Sequence, residues 1–303
     1  MSTNGGFFDG SSWRYRLYFP TIARLPYAAA YRLTDLYGSL QADRLRAERA
    51  EIGRQMQRAL PELDPESVRK QTAVFYRLAS RDIVDTWLIP RLQAGARAED
   101  LVTAEGLDRL VQARADGRRV LLTGAHFGRF WMAGLPLVEQ GLSVGTMTRD
   151  RPDENVHGLS KAEFRYRSFK LRVLAEALRG PFLVEGESLK ALYSALDAQA
   201  MAMIFDVPYE ESRQRAVQVP FLGRPAHFPT GVARVARKAG ALIFPYFMRE
   251  DGYRLVAQFL PPIDPEPLSD EEIISRLVAL LEQRIRAEPG QWWLWQALPL
   301  FWR

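Results

Sequence analysis

Residues 118–126 read RRVLLTGAH, a short apolar run that ends in small residues and a histidine. An apolar run of this length, followed by a helical pattern from about Gly128, indicates a buried β-strand that leads into a helix. In α/β folds, ligands bind at the carboxyl ends of the parallel strands. The pattern therefore predicts that His126 lies where such a fold places its binding site.

The same alternation of strands and helices continues to the C-terminus. The predicted strands are LSVGTMT, MAMIFDV, ALIFPYFMR and YRLVAQFL, and helices are expected around Ser160 to Phe169, Ser188 to Gln199, Pro229 to Lys238 and Ser269 to Arg286. Apolar strands that alternate with helices indicate an α/β fold with a largely parallel central sheet flanked by helices.

The N-terminal third has a different sequence pattern. Residues 41–116 are interpreted as helices, because apolar positions such as Val74, Leu78 and Trp87 recur at roughly helical spacing. We expect residues 1–303 to form a single domain, with a helical N-terminal portion over 13–116 and an α/β core over 117–303. The boundary at 117 is soft, since no low-complexity linker marks it.

Composition excludes several classes of protein. The 303 residues include 47% hydrophobic and 25% charged side chains and no cysteine, which argues against disorder, disulfides and a cysteine nucleophile. The three histidines are scattered, so no metal site is predicted. The net charge of +5 suits anionic partners, but acidic residues are interspersed throughout, and nucleic-acid binding is not expected.

The segment from Trp13 to Leu40 mixes aromatic rings with arginines. The arginines make a membrane-spanning helix too costly, whereas the mixture is typical of a helix at a membrane surface. The alternative is a helix packed on the protein's own core. Because the first residues lack a secretory signal pattern, we expect a cytoplasmic protein that is peripheral at the inner face of the cytoplasmic membrane.

The segment VLLTGAHFGRFWMAG resembles the catalytic strand and turn of the lipid A late acyltransferases, within the lysophospholipid acyltransferase superfamily. That family's pattern is a histidine followed, after four further residues, by an acid, commonly His-Phe-Gly-Asn-Trp-Glu. His126, Phe127 and Gly128 match the pattern, but Arg129 replaces the asparagine and Trp131 replaces the acid.

Further segments resemble the same family in the same order. The resemblance implies that Arg149 in TMTRDRPDENV faces the substrate and that Asp206 in MAMIFDVP is a family acidic residue. The stretches VQVPFLGRPAHFPTGVARVARKAGALIFPYFMR and PGQWWLWQALPLFWR are similar to a Phe-Gly turn with its helix and strand, and to a tryptophan-rich C-terminal segment. The similarity extends over nearly the whole chain from about Trp13.

The resemblance implies an enzyme that moves a fatty acyl group from a thioester of acyl carrier protein or CoA to a hydroxyl or amine. The acceptor would be a lipid, glycolipid or natural product, and no cofactor is implied. His126 would be the general base. Three explanations of the missing acid stay open: Asp206 supplies the carboxylate, substrate positioning provides most of the rate, or the chain has lost the chemistry. A lipid-binding protein without catalysis on the same fold is the alternative function.

Substrate contacts are expected from four residues near His126. Arg149 and Arg151 suit a phosphate, and Arg129 and Gly128 lie where a helix start would attract an anion. For the arginines, solvent-exposed loop or surface positions are the alternative. His157 and His227 lie in turn-like contexts, where surface or capping roles are expected. The tryptophans near the C-terminus are interpreted as an interfacial belt, an acyl groove or core packing, namely Trp292, Trp293, Trp295 and Trp302.

Overall fold

A seven-stranded sheet forms the centre of the protein in the residues that the computed structural model describes, 13–93, 101–155, 158–186, 189–208 and 216–303. The strands of the described chain are β1 (Val102–Glu105), β2 (Val120–Gly124), β3 (Val144–Thr148), β4 (Arg179–Val184), β5 (Ala200–Ile204), β6 (Ala216–Phe221), β7 (Arg224–Pro229), β8 (Leu242–Asp251) and β9 (Arg254–Phe259). The sheet order is β1-β9-β8-β2-β5-β3-β4, and every neighbouring pair is parallel except β8 and β9. The predicted, largely parallel sheet is confirmed.

Helices flank the sheet and precede it. They are α1 (Phe19–Ile22), α2 (Tyr27–Arg44), α3 (Arg46–Ala59), α4 (Pro65–Gln93), α5 (Leu107–Ala115), α6 (Leu135–Glu139), α7 (Lys161–Leu178), α8 (Leu189–Ala198), α9 (Gly231–Ala239), α10 (Asp270–Ala287) and α11 (Leu298–Phe301). The start of α10 is fixed by a capping box, since Ser269 and Glu272 exchange side-chain to backbone hydrogen bonds. A local sequence motif therefore determines where α10 begins.

The helices α1 to α4 form the predicted N-terminal platform. A glycine lets α2 and α4 approach closely, because a Cβ atom at Gly38 would lie 2.8 Å from the carbonyl oxygen of Tyr76. On α4, the ring of Trp87 stacks on Phe19 of α1 and on Tyr166 of α7, with centroid distances of 6.2 and 5.6 Å. These aromatic contacts join the platform to the helices that cover the sheet.

The structure differs from the sequence interpretation at several elements. Residues 41–116 are not all helical, because β1 lies within them and extends the sheet at its edge. The strand β4 and the hairpin β6–β7 were not predicted. The helix expected from about Gly128 begins instead as a 3₁₀ turn at Phe130–Gly134. Gly128 has φ of +62°, which is incompatible with a helical start at that residue.

One hydrophobic core includes side chains of both portions of the chain, from Tyr15 to Phe301. The single domain and its division near residue 117 stay predictions. Among the described residues, no helix has both the length and the apolar character needed to span a bilayer.

Candidate active site

His126 and Asp206 lie side by side at the carboxyl edge of the sheet. The strand β2 is buried along its whole length and continues through Ala125 to His126. Because β5 pairs in parallel with β2, the residues that follow β5 emerge at the same edge. The backbone N–H of Phe205 donates to the carbonyl of Gly124 at 3.1 Å, so the two chains stay paired up to these side chains.

The carboxylate of Asp206 accepts two hydrogen bonds from His126. Its Oδ1 lies 2.8 Å from the backbone nitrogen and 2.9 Å from Nδ1 of His126. The side chain of Asp206 is fully buried, whereas that of His126 is 31% exposed. A buried carboxylate at this distance favours the tautomer with hydrogen on Nδ1, which leaves Nε2 as a proton acceptor. The pair has the geometry of a general base oriented by a carboxylate.

A tryptophan completes the hydrogen bonding of Asp206. The indole Nε1–H of Trp292 donates to Oδ2 at 2.9 Å, and Trp292 is fully buried. The sequence interpretation missed this contact, because 86 positions separate the two residues and no local pattern connects them. The single signal was that the segment containing Trp292 resembles the family's C-terminal segment.

The turn after His126 is held by the same C-terminal segment. The N–H of Gly128 donates to the carbonyl of Gln291 at 2.8 Å, and the carbonyl of Gly128 accepts from Nε1 of Trp293 at 2.7 Å. A Cβ atom at Gly128 would lie 3.0 Å from the carbonyl oxygen of Met248. Both backbone polar groups of Gly128 thus have partners within the protein. Its expected contact with substrate stays a prediction, while the structure gives it a part in shaping the turn.

Arg129 is not placed to meet a substrate in this structure. Its side chain is fully buried, with NH1 3.0 Å from Oδ1 of Asp85 and Nε 3.0 Å from Oε1 of Glu250. The guanidinium also lies over the ring of Tyr31, 4.8 Å from its centroid. The expectation of an anionic ligand here is corrected, because two carboxylates of the protein itself already neutralise this arginine.

These contacts belong to an ionic network between the platform and the sheet, in which Arg129 and Asp85 are buried. Arg81 of α4 pairs with Glu250 of β8 and, at 2.7 Å, with Asp35 of α2. Burial raises the pKa of Asp85 to about 6, and the nearby Arg129 opposes this effect. Burial also raises the pKa of Tyr31, so its hydroxyl stays protonated and donates to Asp85. The network fixes the platform to the turn that carries His126.

Comparison with known proteins identifies the family. The profile described as bacterial lipid A biosynthesis acyltransferase matches residues 10–298. The chain belongs to this family. The family resemblance inferred from the sequence is thereby confirmed.

Two curated relatives of this family member are phosphatidylinositol mannoside acyltransferases. The protein of Mycobacterium tuberculosis (strain ATCC 25618 / H37Rv) is 27% identical over 194 residues, which cover 63% of this chain and 58% of that protein. The protein of Mycolicibacterium smegmatis is 25% identical over 215 residues, which cover 70% of this chain and 66% of that protein. The match thus spans less than two thirds of the length of either relative.

One solved structure is also similar, the 1-acyl-sn-glycerophosphate (LPA) acyltransferase PlsC from Thermotoga maritima. The alignment covers 92% of this chain and 99% of that chain at 13% identity, with a TM-score of 0.38.

Trp131 stands where the family's motif has its acid. Its ring stacks on Phe182 of β4, with centroids 6.3 Å apart, and lies 5.8 Å from Nζ of Lys170. Lys170 in turn pairs with Asp82 at 2.5 Å. Between Trp131 and the histidine lies Phe130, whose ring is edge-on to His126 at 5.4 Å. This chain therefore has an aromatic wall beside its histidine, at the position where the family pattern quoted above has an acid.

Arg149 and Arg151 follow β3, at the same edge of the sheet as His126. Nε of Arg149 lies 2.5 Å from Oε2 of Glu185, and Nε of Arg151 lies 3.8 Å from Oε2 of Glu154. Their side chains are 43% and 42% exposed. Both can reach a ligand, although an anion would compete with a protein carboxylate. Their substrate contacts stay predictions.

A groove of about 840 Å³ opens between the sheet and the helices α8 and α9. Met203 lies in its wall and pairs in register with Thr123, which is three residues before His126. The rest of its apolar wall includes Met147, Leu189, Tyr193 and Val235, and its basic residues include Arg234 and Lys238. A groove of this size with an apolar wall suits a chain-like ligand.

The remaining histidines and tryptophans are placed as follows. His157 lies outside the described residues. His227 belongs to β7 rather than to a turn. Trp292 and Trp295 are fully buried, so core packing, and not an interfacial belt, is their environment. The described part of the chain contains no group of three histidine or carboxylate side chains arranged to hold a metal ion.

Proposed function

We propose that the protein is an acyltransferase in which Nε2 of His126 is the general base and Asp206 is its orienting carboxylate. The contact of 2.9 Å between Nδ1 of His126 and Oδ1 of Asp206 carries the proposal. It favours the first of the three explanations of the missing motif acid, because a carboxylate reaches the imidazole from the neighbouring strand β5.

The reaction requires no covalent acyl-enzyme intermediate. Nε2 of His126 removes a proton from the acceptor hydroxyl or amine, whose oxygen or nitrogen attacks the carbonyl carbon of the donor thioester. The tetrahedral intermediate then expels the thiolate, and the imidazolium returns its proton to that sulfur. Asp206 stabilises the imidazolium between these steps, which the indole of Trp131 could not do.

The donor is a thioester of acyl carrier protein or CoA, which share a phosphate-bearing pantetheine arm. The groove beside Met203 offers apolar surface for the acyl chain. Arg234 and Lys238 in the same groove, together with Arg149 and Arg151, provide positive charge for the phosphate. No cofactor is part of the reaction.

The acceptor is a lipid or glycolipid at a membrane surface. This is supported by large apolar side chains that are exposed on the platform, where Leu36 and Leu40 are 59% and 60% exposed. The hydroxyl of Tyr18 donates to the carbonyl of Leu33 at 2.8 Å, which joins the first turns to α2. The exposed side chains of this platform surface are Trp13, Leu17, Leu25, Leu33, Leu36 and Leu40.

Arg16, Arg24 and Arg32 are exposed in the same segment and suit anionic head groups. The protein therefore acts as a peripheral enzyme at the inner face of the cytoplasmic membrane.

The test is product analysis by mass spectrometry. Purified protein is offered acyl carrier protein and CoA thioesters of several chain lengths, with acceptors that include phosphatidylinositol mannosides, other glycolipids, and simple hydroxyl and amine compounds. An acylated product that depends on the protein supports the proposal. Protein that carries lipid but yields no product with any donor contradicts it, and favours lipid binding without catalysis on the same fold.

A further inference from the structure

We propose that Trp292 is a positioning residue, which holds the carboxylate of Asp206 in the orientation that serves His126. The proposal rests on the proposed transferase function. The indole Nε1–H donates a hydrogen bond to Oδ2 of Asp206 at 2.9 Å. The other oxygen, Oδ1, faces the backbone nitrogen and Nδ1 of His126. The indole N–H can donate a hydrogen bond but cannot accept one. Its partner at this position must therefore be an acceptor, which an ionised carboxylate oxygen is.

The indole is itself held rigidly. Trp292 pairs with Phe127 in an antiparallel bridge, and the N–H of Trp293 donates to the carbonyl of His126 at 2.9 Å. The Trp292 ring packs edge-on against Trp295 and Phe221, with centroid distances of 5.0 and 5.7 Å. The same short segment therefore fixes the backbone of the histidine and the side chain of its partner.

The indole N–H of Trp292 acts on the reaction through Asp206, the carboxylate to which it donates. Trp292 is fully buried and Asp206 is fully buried, so neither is exposed to substrate. Without the indole N–H, Oδ2 would lose its donor in a buried site, and the carboxylate would be free to rotate away from Nδ1 of His126. Another group beside Asp206 is the hydroxyl of Tyr246, which stays protonated because burial and Asp206 raise the pKa of Tyr246.

The chain offers a matched control in Trp295. Trp295 is also fully buried, and its Nε1–H donates to the carbonyl of Pro289 at 2.8 Å, away from the carboxylate. Trp292→Phe and Trp295→Phe therefore remove the same atoms and one hydrogen bond each from the same segment. We expect Trp292→Phe to lower kcat by about 10-fold with little change in KM, since one hydrogen bond to a charged group is lost.

The pH profile of the reaction distinguishes a role of Trp292 in positioning Asp206 from a role in core packing alone. In Trp292→Phe the pH profile of kcat/KM should differ from that of the parent, because the carboxylate no longer has a fixed orientation beside the imidazole, whereas Trp295→Phe should keep the parent profile and a kcat within 2-fold of it. Equal losses in both variants with unchanged profiles, or an unchanged kcat in Trp292→Phe, would overturn the proposal. If Trp292→Phe does not fold, benzothienylalanine at position 292 keeps the ring shape without the N–H, and the same outcomes apply.

A second measurement is independent of turnover. In the full-length protein, Asp206→Asn should shift the indole N–H resonance of Trp292 in nitrogen-15 NMR spectra and leave that of Trp295 in place. If the parent shows no transfer but the resonance shifts in this way, the proposed function fails while the contact stands. If transfer occurs and the resonance does not respond to Asp206→Asn, the positioning role fails and the proposed function stands.

Discussion

Nδ1 of His126 lies 2.9 Å from Oδ1 of Asp206, although 80 positions separate the two residues in the chain. The contact forms because each residue follows a strand, β2 or β5, and these strands are parallel neighbours. The fold thus brings together a histidine and a carboxylate that no local motif connects.

The first prediction concerns the base itself. His126→Ala should lower the rate of acyl transfer by about 10² to 10⁴, because general base catalysis contributes that much. The midpoint of thermal unfolding should change little, since the side chain is partly exposed. Steady-state assays and circular dichroism measure the two effects. His227→Ala is the control histidine, on β7, and should keep most of the activity. Unchanged turnover in His126→Ala would rule the base out.

The second prediction concerns the carboxylate. Asp206→Asn keeps the shape of the side chain but removes its charge and allows the amide nitrogen to face Nδ1 of His126. We expect kcat to fall by about 10² or more, because the tautomer and the imidazolium lose their support. The measurement is single-turnover kinetics across the pH range. A rate within a few-fold of the parent would exclude Asp206 as the orienting carboxylate.

The third prediction concerns the ionic network. Arg129→Met should lower the free energy of unfolding by about 3 to 5 kcal/mol, since it leaves the buried carboxylate of Asp85 without its ion-pair partner. The double variant Arg129→Met with Asp85→Leu should lose less, because no uncompensated charge stays in the core. Urea unfolding of the single and double variants measures both. A single variant within about 1 kcal/mol of the parent would contradict a structural role for Arg129.

The fourth prediction concerns the loop after β3. Arg149→Gln and Arg151→Gln should each raise KM for the acyl donor by roughly 10-fold at low salt, with less effect at high salt, because a charge-assisted contact to phosphate is lost. Arg119→Gln is a matched control. That arginine is 44% exposed and pairs with Asp197, but it precedes β2 and so lies at the opposite edge of the sheet. Equal changes in all three variants would indicate a general charge effect and no binding site.

The fifth prediction concerns the exposed platform surface. Leu36→Glu should weaken binding to anionic lipid vesicles by about 10-fold or more, since burial of a leucine in the interface stabilises the bound state by ~1.5 to 3 kcal/mol. Ser39→Glu adds the same charge to the same helix without removing apolar surface. Vesicle co-sedimentation compares the two. If both variants bind equally weakly, charge and not apolar contact governs the association.

The strands at the centre of the fold were predictable because their signal is local. The runs 120–124 and 200–204 are short and apolar. The first is buried throughout, and the second is buried at Ala200 and Met201 and half-buried beyond them. By contrast, β1 has four residues of which Val102 is buried and Glu105 exposed, so it lacks a continuous apolar run. Edge strands with such weak patterns are determined by their neighbours, which the sequence does not identify.

The site was predictable only in part, for the same reason. His126 and Asp206 could be placed at strand ends, and the fold made them partners. Arg129 was interpreted wrongly, because its partners Asp85 and Glu250 are 44 and 121 positions away. A buried arginine and an exposed one look alike in a local window, and long-range ion pairs decide between them.

Because Asp206 follows β5 and not the strand that leads to His126, similar proteins can be missed by a local motif. A pattern that reads six consecutive residues finds Trp131 where it requires an acid and would classify this chain as lacking the dyad. An acid that follows the strand beside the histidine can also reach the imidazole, as the 2.9 Å contact of Asp206 does here. A search for divergent members should therefore ask which side chain follows the adjacent parallel strand, at whatever distance along the chain it occurs.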